Sequence, residues 1–416
     1  MRKYCSIAFL FFSFFIGSAL AQTPQMDKER EQFMRQRQQA LEEYEKYHQQ
    51  AVDEYEAYRQ QAIEEYEAYQ KQAKEEYANY VKSIDAVWGK EQFADDTQKD
   101  WVEYFDDFRS RSIVDFENGK ITVEVALNEA EAREKQTVDE HLTSAIEKML
   151  TSKGTTCPYE SKVDVSQPLT KKPILEGLVD LTPYESGRAQ ANNATVKKNN
   201  VAATAKKIAE KSPRKVNTVK GEDGKTRKVV QVQMSLVKDN LSKSAMVYKD
   251  LVAEFSQKFQ IEQPLIFAII EQESAFNPEA KSWVPAYGLM QLVPTSGGRD
   301  AFRYVYKRDE IPTHSYLYNP RNNIELGTAY LRVLMNQFKS VTDTDCRRLC
   351  VIASYNTGAG NVSRAFTGAS NLTKAFPKIN THNYNSLYRY LTTNLTHQEA
   401  RNYVAGVTKK REKYKK

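Results

Sequence analysis

Only one stretch of this 416-residue sequence is apolar enough to suggest a bilayer, and it is too short to cross one. It runs from Ile7 to Ile16 behind Arg2 and Lys3, with Ala19-Leu20-Ala21 just before Gln22. A spanning helix needs about 20 apolar residues. A basic start, a short apolar centre and a small-x-small end make a cleavable secretory signal over residues 1–21. The expected mature chain is exported, has no transmembrane helix, and is held to any surface by contacts alone.

Cysteine is equally sparse. Of the four, Cys5 leaves with the signal, and Cys157, Cys346 and Cys350 remain. Three thiols leave at least one unpaired within a monomer. An oxidising compartment permits a bridge, and Cys346 and Cys350, one helical turn apart, lie within its Cα range. The alternative is two small buried thiols. A large excess of charge of one sign is also missing: 60 Lys and Arg face 54 Asp and Glu, a net charge of +6. That mixed surface does not describe a nucleic-acid binder, and it suits either solubility or an acidic polymer. The length allows two or three domains, one of them with a sizeable core.

Glycine and proline are absent from residues 33–80, where the sequence repeats every eleven residues. Tyr44, Tyr55, Tyr66 and Tyr77 share one repeat position, Tyr47, Tyr58, Tyr69 and Tyr80 a second, and Ala51, Ala62 and Ala73 a third. The 3-4-4 spacing draws one stripe along a long helix rich in Glu, Gln, Ala and Lys. Eleven residues in three turns predict a straight or right-handed coiled coil. The stripe would face another copy, a protein partner or a glycan; a solvated single helix kept up by charge pairs is the plainer alternative.

Trp88-Gly89 ends the repeat. Asn118-Gly119 between alternating apolar residues, with Ile121, Val123 and Val125 on one face, predicts a β-hairpin. Residues 135–151 read as a helix, and Val230, Val232, Met234 and Leu236 alternate as a further strand. Residues 186–228 are rich in Lys, Asn, Ala and Thr and poor in large apolar side chains, so they are expected to be an exposed linker. The expected fold class is α+β. A long N-terminal helix (22–84, an eleven-residue-repeat coiled coil) is followed by a small α+β domain (85–241) and a mainly α-helical C-terminal domain (242–416).

The chemistry lies in the last of these. From Pro264, suited to a first helical turn, Leu265, Ile266, Ile269 and Ile270 form an apolar stripe with Glu273 at its centre and Glu271 on the opposite face. Burial raises a carboxyl pKa toward the range in which a general acid works near neutrality. The competing reading is a structural carboxylate that ends the helix. Three further segments follow: Gly-Leu-Met-Gln at 288–291, Ala-Ser-Tyr-Asn-Thr-Gly-Ala-Gly at 353–360, and Glu-Ala-Arg-Asn-Tyr-Val at 399–404.

With Glu-Ser-Ala-Phe-Asn-Pro at 273–278, these segments, in this order, resemble the catalytic domain of soluble-type lytic transglycosylases over residues 246–407. Val-Trp-Gly-Lys at 87–90, together with Arg111, Ser112, Val114 and Phe116, resembles the N-terminal domain of membrane-bound members of that family. Two departures stand out. Gln22 follows the cleavage site where those members carry a lipid-bearing cysteine, and the tyrosine repeat is not part of the family pattern.

The resemblance implies a fold related to goose-type lysozyme, a periplasmic location and peptidoglycan glycan strands as substrate, with no metal or cofactor. It makes Glu273 the single catalytic acid and base. It also implies that Ser274 contacts an N-acetyl group, that Met290 and Gln291 line the sugar groove, that Tyr355 and Asn356 orient the acid and the sugar, and that Tyr403 bonds to Glu273. Each has a plainer reading: Ser274 as a local backbone acceptor, Met290 as core filler, Tyr355 as core and Asn356 as part of the turn before Gly358. Thr396-His397-Gln398-Glu399 reads as a capping box, making Glu399 structural. Two other functions stay open. One is a water-using muramidase, whose second carboxylate would come from Asp300, Asp309 or Glu325; the other is a non-catalytic glycan-gripping scaffold.

Overall fold

The computed structural model describes residues 24–154, 169–185, 200–283 and 285–415. The signal segment, Cys157 and residues 186–199 lie outside the described residues. The chain divides into two compact units, one up to Glu64 and one from Glu65.

The first unit is helical, with α1 (Pro24–Trp88) beginning in it. Its described side chains from Lys28 to Glu64 are exposed, Tyr44 and Tyr47 among them. Gln38, Gln49, Gln50 and Gln60 donate to Glu42, Asp53, Glu54 and Glu64, each four residues on. Such pairs stabilise a helix by a few tenths of a kcal/mol each, roughly 0.2–0.5.

In the second unit the end of α1 loses its solvated character. Ala73, Ile84 and Trp88 are buried, and the Tyr80 ring stands edge-on to those of Tyr104 and Phe108. The last part of the stripe is therefore covered by the chain's own sheet domain. Gly89 stops the helix at a φ of +82°, where a Cβ would stand 2.6 Å from the Lys220 carbonyl oxygen, so no other residue fits.

The sheet is antiparallel, in the order β1-β2-β3-β5-β4. Its strands are β1 (Asp100–Phe105), β2 (Ser110–Asp115), β3 (Lys120–Leu127), β4 (Arg214–Lys220) and β5 (Thr226–Ser235). β2 and β3 are the hairpin expected around Asn118-Gly119, and β5 is the expected further strand. Ile121, Val123 and Val125 pack with Val230, Val232 and Met234 beneath helices α3 (Lys135–Thr151) and α4 (Val201–Lys211), while α2 (Glu129–Arg133) links β3 to α3. On the other face Ala126 and Val229 meet Ile84 and Trp88 of α1. There the buried Arg111 pairs with Glu124 at 2.6 Å and lies 4.1 Å over the Trp88 ring. Coverage of both faces explains why β3 is buried almost throughout.

The exposed linker expected at 186–228 is corrected over its described part, which supplies α4, β4 and the start of β5. The residues buried in α4 are Thr204, Ala205, Ile208 and Ala209. Their i, i+1, i+4, i+5 spacing makes a narrow face in which Ile208 is the one large apolar side chain, too little for composition to signal. β4 is an edge strand with little burial.

The rest of the chain is helical: α5 (Asn240–Val247), α6 (Lys249–Phe259), α7 (Gln263–Ser274), α8 (Arg299–Tyr306), α9 (His314–Tyr318), α10 (Pro320–Gln337), α11 (Thr344–Thr357), α12 (Ala359–Thr367), α13 (Leu372–Ile379), α14 (Tyr384–Asn394) and α15 (Gln398–Tyr414). One core joins them, with α7 packed on α15 and α15 on α11. Cys346 and Cys350 are buried free thiols, the second of the two readings, and Cys346 Sγ is turned to the His382 carbonyl at 3.7 Å.

Candidate active site

The site is built on the end of α7. Leu265, Ile266, Ile269 and Ile270 are fully buried, each worth about 1.5–3 kcal/mol, and they anchor the helix in the core. The helix stops at Ser274 because Ala275 and Phe276 take left-handed conformations, with φ of 48° and 67°. Glu273 thus stands one residue from a sharp reversal of the chain.

Its side chain is buried, and Oε1 accepts a hydrogen bond of 2.5 Å from the Tyr403 hydroxyl of α15. Burial pushes the Glu273 pKa up to about 7. The Tyr403 bond and the Lys99 charge oppose that rise, and the Glu399 charge adds to it. A carboxyl so placed can hold a proton at neutral pH and give it up there, as a general acid and base must. Tyr355 and Tyr403 remain protonated, because burial and then the Glu273 charge raise both phenols well above their ordinary value.

The second segment forms the wall beside it. Gly288 has a φ of +74°, and a Cβ there would come within 2.5 Å of the Asn323 amide and the Leu317 carbonyl. Asn323 of α10, fully buried, donates to the carbonyls of Tyr287 and Leu317 and accepts from the Met290 N–H at 2.7 Å. Gly327, on the same helix, makes room for the Met290 sulfur, which would lie 2.3 Å from a Cβ at that position.

Of the residues singled out in the sequence, the structure brings Tyr403 to Glu273 directly. Tyr355 reaches it electrostatically, while its hydroxyl donates to the Met290 carbonyl at 2.8 Å and so ties α11 to the wall. Asn356 Nδ2 donates to Glu399 at 3.2 Å. Ser274 is fully buried: its hydroxyl donates toward the Ile270 and Leu289 carbonyls and accepts from the Phe276 N–H. Met290 is fully buried as well. The Gln291 amide turns inward, donating to the Ala280 and Gly288 carbonyls.

Two expectations are corrected. Glu399 does not build a capping box, since α15 begins at Gln398 after His397 with no side-chain cap; it faces Asn356 and adds negative potential at Glu273. Glu271 is not on a solvent face either. It is buried, paired with Lys413 at 2.8 Å and accepting from the Tyr414 hydroxyl, because the end of α15 covers the side of α7 that a helical wheel leaves bare. The sequence reading also missed Asn323 and Lys99. Lys99 Nζ donates to the Glu271 and Gln272 carbonyls at 3.1 and 2.7 Å across more than 170 residues of sequence, a pairing that no local pattern signals.

A buried helix-end acid bonded by a tyrosine from the last helix thus sits in an α-helical domain that carries the four segments. The family model described as the transglycosylase SLT domain matches residues 250–376, and that of the membrane-bound lytic murein transglycosylase C N-terminal domain matches 66–246. The second match begins inside the tyrosine repeat, so the end of the repeat belongs to the family's domain.

The membrane-bound lytic murein transglycosylases C of Haemophilus ducreyi and Actinobacillus pleuropneumoniae are each 33% identical over 80% of this chain and 84% of their own. That of Haemophilus influenzae is 31% identical over 80% and 86%. Among solved structures, an inactive variant of the lytic transglycosylase Slt of Pseudomonas aeruginosa (27% identity, TM-score 0.32) covers 41% of this chain and 24% of its own. The 70 kDa soluble lytic transglycosylase of Escherichia coli (26%, TM-score 0.32) covers 40% and 24%. This chain thus spans about a quarter of either solved chain. The chain belongs to the family of membrane-bound lytic murein transglycosylase C and is a lytic transglycosylase, which removes the non-catalytic scaffold from consideration. Among the described residues no helix is long and apolar enough to cross a membrane.

Proposed function

We propose that this enzyme cleaves the β-1,4 bond between N-acetylmuramic acid and N-acetylglucosamine in peptidoglycan without consuming water, with Glu273 as the single acid and base. Protonated Glu273 gives its proton to the glycosidic oxygen as the bond to C1 of the muramic acid breaks. The resulting carboxylate then takes the proton of the same sugar's C6 hydroxyl, whose oxygen closes on C1. The products are a 1,6-anhydro end and a free N-acetylglucosamine hydroxyl, and Glu273 is protonated again. The nucleophile is already part of the substrate, so its effective concentration is high and no second carboxylate has to hold a water.

The observation that carries this reading is the poise of Glu273, buried, bonded by Tyr403 and brought to about 7. The three carboxylates that the sequence offered a water-using mechanism are paired with cations, and Glu399, whose charge reaches Glu273, accepts from Asn356. Asp309 makes a two-pronged pair with Arg299, Asp300 pairs with Arg303, and Glu325 pairs with Lys258. Around the acid, Tyr355 braces the wall, while Met290, Gln291 and Ser274 shape the groove from beneath as buried supports. Asn356, half-buried beside Glu399, is the polar group of the set best placed to meet a sugar. Export by the N-terminal signal puts the enzyme in the periplasm with its substrate, and the exposed start of the tyrosine repeat supplies self-association or a protein contact.

Digestion of purified sacculi in heavy-oxygen water tests the chemistry. Released muropeptides should carry unlabelled anhydro ends, each one water lighter than a hydrolytic product, and Glu273→Gln should abolish release. Labelled reducing ends would establish the muramidase instead.

A further inference from the structure

We infer that Lys99, which stands in the sheet domain just ahead of β1, is a positioning residue for Glu273, clamping the last turn of α7 through the carbonyls of Glu271 and Gln272. This rests on the reading of Glu273 as the working acid. The sheet domain then completes the active site rather than merely bracing it.

The end of α7 needs holding. Two consecutive side-chain-bearing residues, Ala275 and Phe276, sit in left-handed backbone directly after Ser274, a conformation that costs energy and persists only where its surroundings over-determine it. Segment 97–100 supplies four hydrogen bonds around that turn. Lys99 Nζ takes the two carbonyls on the helical side. Beyond the turn the Asp100 carbonyl accepts from Asn277 Nδ2 at 3.2 Å, and the Thr97 carbonyl accepts from the Lys281 N–H at 3.3 Å. The Glu271 carbonyl also accepts the closing bond of the helix from the Ala275 N–H at 3.2 Å, so Lys99 grips the same carbonyl that the last turn hangs on, and a cation is favoured at the negative end of the helix dipole. Without this clamp the last turn of α7 is free to fray, and Glu273 moves with it.

Lys99 acts on the acid electrically as well as mechanically. Burial pushes its own pKa down to about 8, with Lys410 adding to the fall and Glu117, Glu273 and Glu271 opposing it, so the ammonium keeps most of its charge at neutral pH. The groups facing Glu273 are Lys99 from the sheet domain, Tyr403 and Glu399 from α15 and Tyr355 from α11. Lys99 is the cation of this set and favours ionised Glu273. Its removal therefore raises the pH at which the acid loses its proton.

The test uses the full chain on isolated sacculi, with pH–rate profiles and thermal melts for Lys99→Met and Lys99→Arg. Lys99→Met should lose roughly tenfold to a hundredfold in turnover at pH 7, as expected for a small misplacement of a reacting group, with KM little changed. Its remaining activity should persist to higher pH than the parent's. Lys99→Arg, which keeps the charge and the donors, should restore the parental limb. The inference is overturned by a Lys99→Met enzyme with parental turnover and profile. It is equally overturned if activity falls only in step with the folded fraction while the limb stays in place. Normal cleavage by Glu273→Gln would instead remove the reading of Glu273 itself, whatever Lys99 does.

Discussion

The Tyr403 hydroxyl donates to Glu273 Oε1 at 2.5 Å, so the last long helix of the chain sets the state of an acid 130 residues before it. The bond favours the ionised carboxyl and works against the burial that pushes Glu273 up to about 7. Tyr403→Phe should therefore move the basic limb of the pH–rate profile upward, since the acid then keeps its proton to higher pH. Turnover at neutral pH should fall by about tenfold or more, because a hydrogen bond to a charged group is worth about 1.5–3 kcal/mol. A limb displaced to lower pH would contradict the assignment of Tyr403 as the donor that holds the anion.

The parts of this architecture that were legible in the sequence are those encoded locally. The hairpin at Asn118-Gly119, the helix over Lys135–Thr151 and the stripe that buries Glu273 all follow from periods of two or 3.6 and from turn chemistry. What stayed hidden depends on contacts between distant segments. α4 hides in a Lys- and Ala-rich stretch because its buried face is narrow, with Ile208 flanked by Thr204, Ala205 and Ala209, and matters only once α3 is beside it. Asn323 looks like any polar helix residue until the Tyr287–Met290 loop is seen wrapped on its amide. Tyr77 and Tyr80 belong to the repeat by spacing, yet they meet the sheet domain, through Asp95 for Tyr77 and through Tyr104 and Phe108 for Tyr80.

Glu271 shows how such a contact changes an expected phenotype. A helical wheel sets it opposite Glu273, where Glu271→Gln would be nearly neutral. In the folded chain it is buried against Lys413 and Tyr414, so the amide leaves the Lys413 ammonium without its counter-charge. The variant should lose on the order of 1–3 kcal/mol of stability, seen as a lower melting temperature, with turnover per folded molecule little altered. An unchanged melt would show that the pair contributes nothing net.

For the repeat, Tyr44 and Tyr47 are exposed while Tyr77 and Tyr80 of the same stripe meet the sheet domain, so the association expected of the stripe falls to its exposed start. The full chain should associate in sedimentation at micromolar concentration, and Tyr44→Ser with Tyr47→Ser should weaken that association while cleavage of short glycans stays as it was. A strictly monomeric full chain that also binds sacculi no better than a chain lacking 24–64 would end the interaction role.

The same burial that equips Glu273 for acid chemistry also makes stability depend on pH. In the unfolded chain its carboxyl titrates near the ordinary 4.5, and in the fold near 7. Below 4.5 it is protonated in both states and carries no penalty. Between the two values the unfolded state gives up its proton while the folded state keeps it, so the fold loses stability as pH rises, and above 7 the penalty is complete. A displacement of this size corresponds to on the order of 3 kcal/mol. Glutamine occupies the same space and never ionises, so Glu273→Gln should match the parent's melting temperature at pH 4 and exceed it at pH 8. The gap should open across pH 4.5–7. Melting curves of the two proteins that stay parallel from pH 4 to pH 8 would mean that Glu273 titrates in the fold as it does in water, and that its activation must then wait for substrate to exclude solvent.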